Sequence, residues 1–320
     1  MAQRPRRIRK PGIYDLTAAE YLADPCIRPS LNRGIAQRLV DRSPAHAWVA
    51  HPRYGAAAEA TDDNDTMDVG SAVHAAFLLG DDLIAEFPFS SWRSDVAKAR
   101  RSAARAAGKI PLLQDKAATV RAVLEQLYRF RQRTGAFTRG KAEQTVIWQE
   151  GEIWCRCKPD WLPDDPTAPL WDLKVTSGIA SAATWKYRAA EVAADIQAVM
   201  YPRGVTAVRP RSPDGMRFLV IEEEEPHGIR VFRYSGEALE IAQAKFERAA
   251  ELWRECQATD RWPNYSDEEV FLDAAYGARD DWSAFTASAR GLDPTNQSGL
   301  QRARDEAIAG KIVDQYNWAG

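Results

Sequence analysis

Lys158-Pro159-Asp160-Trp161-Leu162-Pro163-Asp164-Asp165-Pro166-Thr167-Ala168-Pro169-Leu170-Trp171-Asp172-Leu173-Lys174 is the stretch that decides the fold. Pro163 to Pro169, at its middle, holds three prolines and two aspartates, a dense turn signal. Glu152 to Lys158 on one side and Leu170 to Val175 on the other read as strands. The midpoint of Asp160 and Asp172 is residue 166, inside that turn. A hairpin folded there sets the two carboxylates close together on adjacent strands. Asp172 and Lys174 are two apart on one strand, so both point to the same face. The expected product is a small acidic cluster with one ammonium beside it.

The same letters also fit a solvated strand face carrying a weak ion pair. Two features favour the cluster. Among the lysines of the chain only Lys174 has an acidic residue two positions before it, and this one instance falls in a strand directly after a Pro-Asp and a turn. Neighbouring carboxylates raise one another's pKa unless a cation joins them, so the arrangement makes sense chiefly around a divalent metal. Oxygen ligands favour Mg²⁺, with Mn²⁺ as the alternative, over zinc.

The 320 residues suffice for one large domain with insertions or two modest ones, and 45% hydrophobic with 28% charged residues is ordinary for a globular protein. No apolar run approaches the roughly 20 residues of a membrane span. Basic Met1 to Lys10 is followed by no apolar core of a secretory signal. A cytoplasmic location without a membrane partner is expected. Cys26, Cys155, Cys157 and Cys256 lack zinc or disulfide spacing and read as reduced, near-core thiols. Net charge is only −2, yet residues 91–142 hold thirteen basic residues against three acidic ones. Such asymmetry fits a phosphate-facing surface, and equally a merely solvated basic helix. Arg93, Arg100, Arg101, Arg105 and Lys109 are the candidate DNA contacts within it.

Along the chain, Ser43-Pro44 looks like a helix start, with Ser as cap and Pro in the first turn. Residues 51–66 form a polar linker. Met67 to Leu79 is expected as a short helix that places His74 one turn beyond Gly70. Helix is expected over about 94–134, interrupted at Gly108 to Pro111. Strands follow at about 143–150, 152–162 and 170–176, then a helix at about 181–202. Strands near 216–223 and 228–234 flank a Glu-rich turn, and a long amphipathic helix covers about 235–257. One more helix is expected near 298–315. This order describes a mixed α/β (α+β) core sheet with helices on both faces. Gln197 and Tyr201, four apart, share a helix face. Glu143, at the start of the first core strand, reads as an edge-strand carboxylate or a secondary metal ligand.

Gly70-x-x-x-His74, Pro159-Asp160, Asp172-Leu173-Lys174 and Gln197-x-x-x-Tyr201, in this order, resemble the motif series of PD-(D/E)XK nucleases of the RecB/RecE lineage. Ser43 to His46, Ala106 to Leu112, Ala142-Glu143 and Trp262-Pro263-x-Tyr265 resemble the RecE-type exonucleases (exonuclease VIII) carried by prophages. The resemblance covers roughly residues 11–282. It implies a restriction-endonuclease-like core sheet, with an N-terminal helical extension and linker at 1–66 and a nuclease domain at 67–282. The resemblance does not extend to the tail at 283–320, to which no role is assigned.

The resemblance further implies a metal-dependent exonuclease that degrades linear double-stranded DNA from 5′ ends and supplies single strands to a RecT-like annealing partner. Ring-shaped homo-oligomers are implied as well. Asp160 and Asp172 would ligate Mg²⁺, with the Leu173 carbonyl as a further ligand and His74 as ligand or water-orienting group. Lys174 would stabilise charge on the phosphate or position the attacking water. Gln197 and Tyr201 would brace the site or touch the DNA backbone. Two departures stand out. Cys157-Lys158 occupies the place where relatives often have glycine, and Asp172 replaces a common Glu. The C-terminal cysteine trio of the iron–sulfur branch is missing. One or two metals, a structure-specific or single-strand nuclease, and a non-catalytic DNA-end scaffold all stay open at this point.

Overall fold

The protein is described from a computed structural model over residues 7–55, 69–267 and 269. The chain divides into two units, Met1–Tyr265 and Ser266–Gly320, and all the described helices and strands lie in the first. The expected helix at 298–315 falls outside the described residues. In chain order come β1 (Gly12–Tyr14), α1 (Ala18–Leu22), β2 (Ser30–Leu31), α2 (Arg33–Asp41) and α3 (Pro44–Ala50). From residue 69 follow α4 (Val69–Leu79), β3 (Ile84–Phe87), α5 (Asp95–Ala106), β4 (Ile110–Leu113) and α6 (Gln114–Thr134). Then come β5 (Gly140–Ala142), β6 (Thr145–Glu150), β7 (Ile153–Cys157), β8 (Trp161–Pro163) and β9 (Leu170–Thr176). The series ends with α7 (Ala182–Glu191), α8 (Ala194–Val208), β10 (Met216–Glu222), β11 (Ile229–Phe232) and α9 (Gly236–Thr259).

The five-stranded sheet runs β11-β10-β9-β8-β5, with β9 and β10 parallel and the other pairs antiparallel. A second sheet, β1-β6-β7-β2, is antiparallel except where β2 joins β7. β3 and β4 form a separate parallel pair. The mixed sheets flanked by helices match the α/β core expected from the sequence. The N-terminal segment supplies strands as well as helices, since β1 and β2 occupy the two edges of the second sheet.

Alternation along β10 shows how the five-stranded sheet is covered. Met216, Phe218 and Val220 enter the core formed with α8 and α9, while Leu219 and Ile221 enter the core formed with α4 and α6. A strand buried on both faces reads as a continuous apolar run, as Phe218-Leu219-Val220-Ile221 does. The four cysteines are buried and unpaired, as expected from their spacing.

The hairpin register is the one expected. Trp161 pairs with Trp171, so one step further out Asp160 stands opposite Asp172. Three expectations need correction. The strand expected over 152–162 is two strands in different sheets, because Pro159 lacks an N–H and the chain turns away there. The helix expected over 181–202 breaks between α7 and α8, where Ala193 adopts a left-handed backbone at φ 50°. The interruption at 108–111 leads into a strand, β4, that pairs with β3, an element absent from the sequence reading.

A buried polar hub anchors the N-terminal segment to β7. Asp24 is fully buried, accepts from Ser30 Oγ at 2.7 Å and the Ser30 N–H at 3.1 Å, and lies 3.3 Å from Arg156 Nη1. Burial opposes the Asp24 charge, but His51, Arg156 and Ser30 outweigh it and hold the carboxyl below its usual range. Arg156 reaches back to the carbonyls of Ser30 at 2.8 Å and Tyr21 at 3.2 Å. This clamp fixes the strand that delivers Lys158 and Asp160.

Candidate metal centre

The site forms where β8 parts from β9. β8 is three residues long and meets β9 only at the Trp161–Trp171 pair. The next stretch of β9 therefore keeps an edge unpaired by β8, while its other side pairs along its whole length with β10. The freed Leu173 N–H donates to Asp160 Oδ2 at 2.7 Å. A strand residue presents its N–H and C=O to the same side, so the Leu173 carbonyl faces this edge too.

α4 packs against α6 and β9 through Val69, Ala72, Val73, Ala76 and Phe77. This seating brings His74 Nε2 to 2.9 Å from Asp160 Oδ2 and 3.8 Å from Glu143 Oε1. Glu143 belongs to no strand. It sits at the junction of β5 and β6 in a left-handed conformation, φ 56°, and its N–H donates to the Asp160 carbonyl at 3.1 Å. The edge-strand assignment of Glu143 is thus corrected, because the left-handed turn aims its side chain inward beside His74.

On the other oxygen of Glu143, Oε2, stands Lys158 Nζ at 2.8 Å, which also donates to the Leu16 carbonyl at 3.2 Å. Lys158 carried no role in the sequence reading. The available signal was a lysine immediately before Pro159-Asp160 at the end of a buried strand, where an ammonium needs a partner.

Asp172, 1% exposed, projects to the α8 side of β9. Lys174 Nζ bonds one of its oxygens and Gln197 Nε2 the other. Gln197 Oε1 is buried, and among the described residues no donor faces it. Tyr201 lies one turn further along α8 and is also buried. Burial, first, and the neighbouring Tyr21 keep its phenol well above its usual range, hence neutral. Of the two roles expected for Gln197 and Tyr201, bracing the site matches their burial. The structure thus gathers His74, Asp160, Asp172, Leu173, Lys174 and Gln197, with Tyr201 behind them.

Arg93, Arg100, Arg105 and Lys109 are exposed and Arg101 half-buried on and around α5. None of them contacts a residue of this cluster among the described residues.

Electrostatics of the cluster follow from its crowding. Burial works against a charged His74, but Asp160, Glu143 and Asp172 prevail and raise its pKa to about 9. Burial likewise opposes the Asp160 carboxylate, yet His74, Lys174 and the Leu173 N–H pull its pKa down. Asp172 goes the other way. Burial and the Asp160 charge push its carboxyl up, against Lys174 and Gln197.

These residues fit a hard divalent cation. Donor atoms of His74, Glu143 and Asp160 all lie within 4.8 Å of one another, and oxygen predominates among them. Burial and the Asp160 charge both push the Asp172 carboxyl up beside that trio, and a cation would offset both.

Fold and cluster together define a PD-(D/E)XK-type domain. The chain belongs to the family described as "PDDEXK-like domain of unknown function (DUF3799)", whose model matches residues 38–274. A crystal structure of a "Putative exonuclease" from Eubacterium rectale matches with a TM-score of 0.52. The match covers 82% of this chain and 97% of that one at 12% identity, a likeness of fold. No curated protein matches the sequence. No helix among the described residues is long and apolar enough to cross a membrane.

Proposed function

We propose that this protein is a Mg²⁺-dependent exonuclease that hydrolyses linear double-stranded DNA, proceeding from 5′ ends to leave single strands for recombination by annealing. Mn²⁺ is the alternative ion. The carrying observation is the meeting of His74, Glu143 and Asp160 beside Asp172 and Lys174 within a PD-(D/E)XK-type fold. The RecE-like motif series in the sequence supports the polarity, the ring-shaped oligomer and the RecT-like partner. A cytoplasmic setting goes with that role.

His74, Asp160, Glu143 and Asp172 would hold the ion, with the Leu173 carbonyl at the same edge. Such an ion lowers the pKa of water and neutralises charge on the phosphate oxygens. Lys174 keeps its ammonium on the face of Asp172, where it can steady negative charge gathering on a phosphate. Gln197 fixes the rotamer of Asp172 from α8. Lys158, tied to the Leu16 carbonyl, keeps Glu143 turned toward His74.

Linear and circular duplex DNA, labelled at 5′ or 3′ ends and incubated with Mg²⁺, test this directly. Loss of linear DNA alone, beginning at 5′ ends, is the expected result. Cleavage of circles would make the protein an endonuclease, and binding without cleavage would make it a scaffold. Either overturns the proposal.

A further inference from the structure

Between α4 and α6 the chain makes an excursion through β3, α5 and β4. Phe87, at the end of β3, and Phe89 and Trp92, in the loop after it, belong to none of the buried cores. They pack on one another instead. Phe87 and Phe89 stack with centroids 6.1 Å apart, and Trp92 stands edge-on at 5.7 Å and 6.3 Å. All three remain half-buried. The Arg101 guanidinium lies over the Trp92 ring, 5.5 Å from its centroid.

Positive charge dominates the sequence that follows these rings. Residues 91–110 carry six basic side chains and a single acidic one, Asp95. Lys98, Arg101 and Arg105 recur at the spacing of one helix face. Lys98 meets Asp95 at 3.8 Å with both side chains exposed, and Arg93, Arg100, Arg105 and Lys109 meet no carboxylate among the described residues. Packing of α5 onto its excursion explains why rings are present. It does not explain why they stay partly exposed beside a run of cations.

A single nucleic-acid strand satisfies both features at once. Its phosphates pair with the cations, and its unpaired bases stack on aromatic faces. A duplex hides its base faces and would use only the cations. We propose that the β3–α5–β4 excursion is a binding platform for single-stranded DNA, with Phe89 and Trp92 as stacking surfaces and Arg93, Arg100 and Arg105 as phosphate contacts. The choice of DNA as the polyanion rests on the nuclease proposal. The excursion is inserted between the helix bearing His74 and the helix packed against it.

The test uses the full chain in EDTA with a fluorescent oligo(dT) 20-mer and a blunt linear duplex as probes. Phe89→Leu and Trp92→Leu keep an apolar side chain and remove the ring. Arg100→Gln and Arg105→Gln alter exposed residues only. Each lost ring is expected to weaken oligo(dT) binding about tenfold while leaving duplex binding unchanged. Each lost charge should weaken both probes and reduce the salt slope by about one. Ring variants that keep native circular dichroism and full oligo(dT) affinity overturn the platform. So does equal competition by polyglutamate, which would mark a protein-facing surface. Cleavage by the wild-type chain in Mg²⁺ is followed in parallel. No cleavage with ring-dependent binding removes the nuclease proposal and supports the platform, whereas cleavage with ring-independent binding does the reverse.

Discussion

His74 Nε2 stands 2.9 Å from Asp160 Oδ2, so a helix on one face of the five-stranded sheet is tied directly to the β8–β9 hairpin within it. Without a divalent ion the protein's own cations hold the acidic cluster together, His74 on Asp160 and Lys174 on Asp172. A divalent ion entering this pocket would therefore have to displace the imidazolium.

That imidazolium can be titrated. In EDTA the His74 imidazole is expected to titrate near its raised pKa of about 9. Its folded-state pKa lies above the unfolded value of about 6.5. The stabilisation it confers is thus complete below about pH 6.5 and is lost as pH rises through about 9. Asp160→Asn removes the main opposing charge and should return the midpoint toward the ordinary value. NMR of the ring protons reads both, and a wild-type midpoint near 6.5 would contradict the ion pair.

Asp172 offers the cleanest separation of fold from chemistry. Its carboxyl is held up by burial and by Asp160, so Asp172→Asn removes a repulsion as well as a candidate ligand. Melting of the metal-free variant should match or exceed that of wild type, while DNA cleavage falls by about a thousandfold or more. Lys174→Ala should keep Mn²⁺ binding, read by calorimetry, and lose rate. Substantial Mg²⁺-dependent degradation by the Asp172 variant would remove it from the site.

The hairpin was legible because turn chemistry and spacing agree: prolines mark the bend, and residue 166 as centre reproduces the Trp161–Trp171 register. Asp172 beside Lys174 and Gln197 beside Tyr201 followed from strand and helix periodicity. Less was legible where tertiary contacts decide. β2, two residues long, exists because β7 offers it an edge. The break at Ala193 carries neither Gly nor Pro. Glu143 turns inward through a left-handed backbone that no neighbouring glycine announced, and its partner Lys158 is set by the path of the chain past Pro159.

Glu143 and Lys158 should behave as a unit. The ammonium is nearly buried and bonds the oxygen of Glu143 that faces away from His74. Lys158→Met keeps the length of the stem, and Glu143→Gln keeps the shape of the acceptor. Each single change should lower stability in EDTA, and the double variant should lose less than their sum, with a coupling of about 1 kcal/mol. Urea unfolding of the four proteins measures this. Strict additivity would show that the pair contributes nothing beyond its members.

Gly204 sets the distance between α8 and the second sheet. A Cβ there would meet the six-membered ring of Trp148 at 2.6, 2.7 and 2.9 Å, and Trp148 is 1% exposed, with little room to withdraw. Two effects oppose each other in Gly204→Ala. Helix propensity favours alanine by about 1 kcal/mol. Overpacking costs about 1–3 kcal/mol, and at contacts this short the clash wins. The variant should melt lower. Because α8 also carries Gln197 to Asp172, it should cleave DNA more slowly as well. Trp148→Phe on the same background shrinks the ring that is struck and should recover part of both losses. Rescue of stability without activity would mean that the seating of α8 does not govern Asp172.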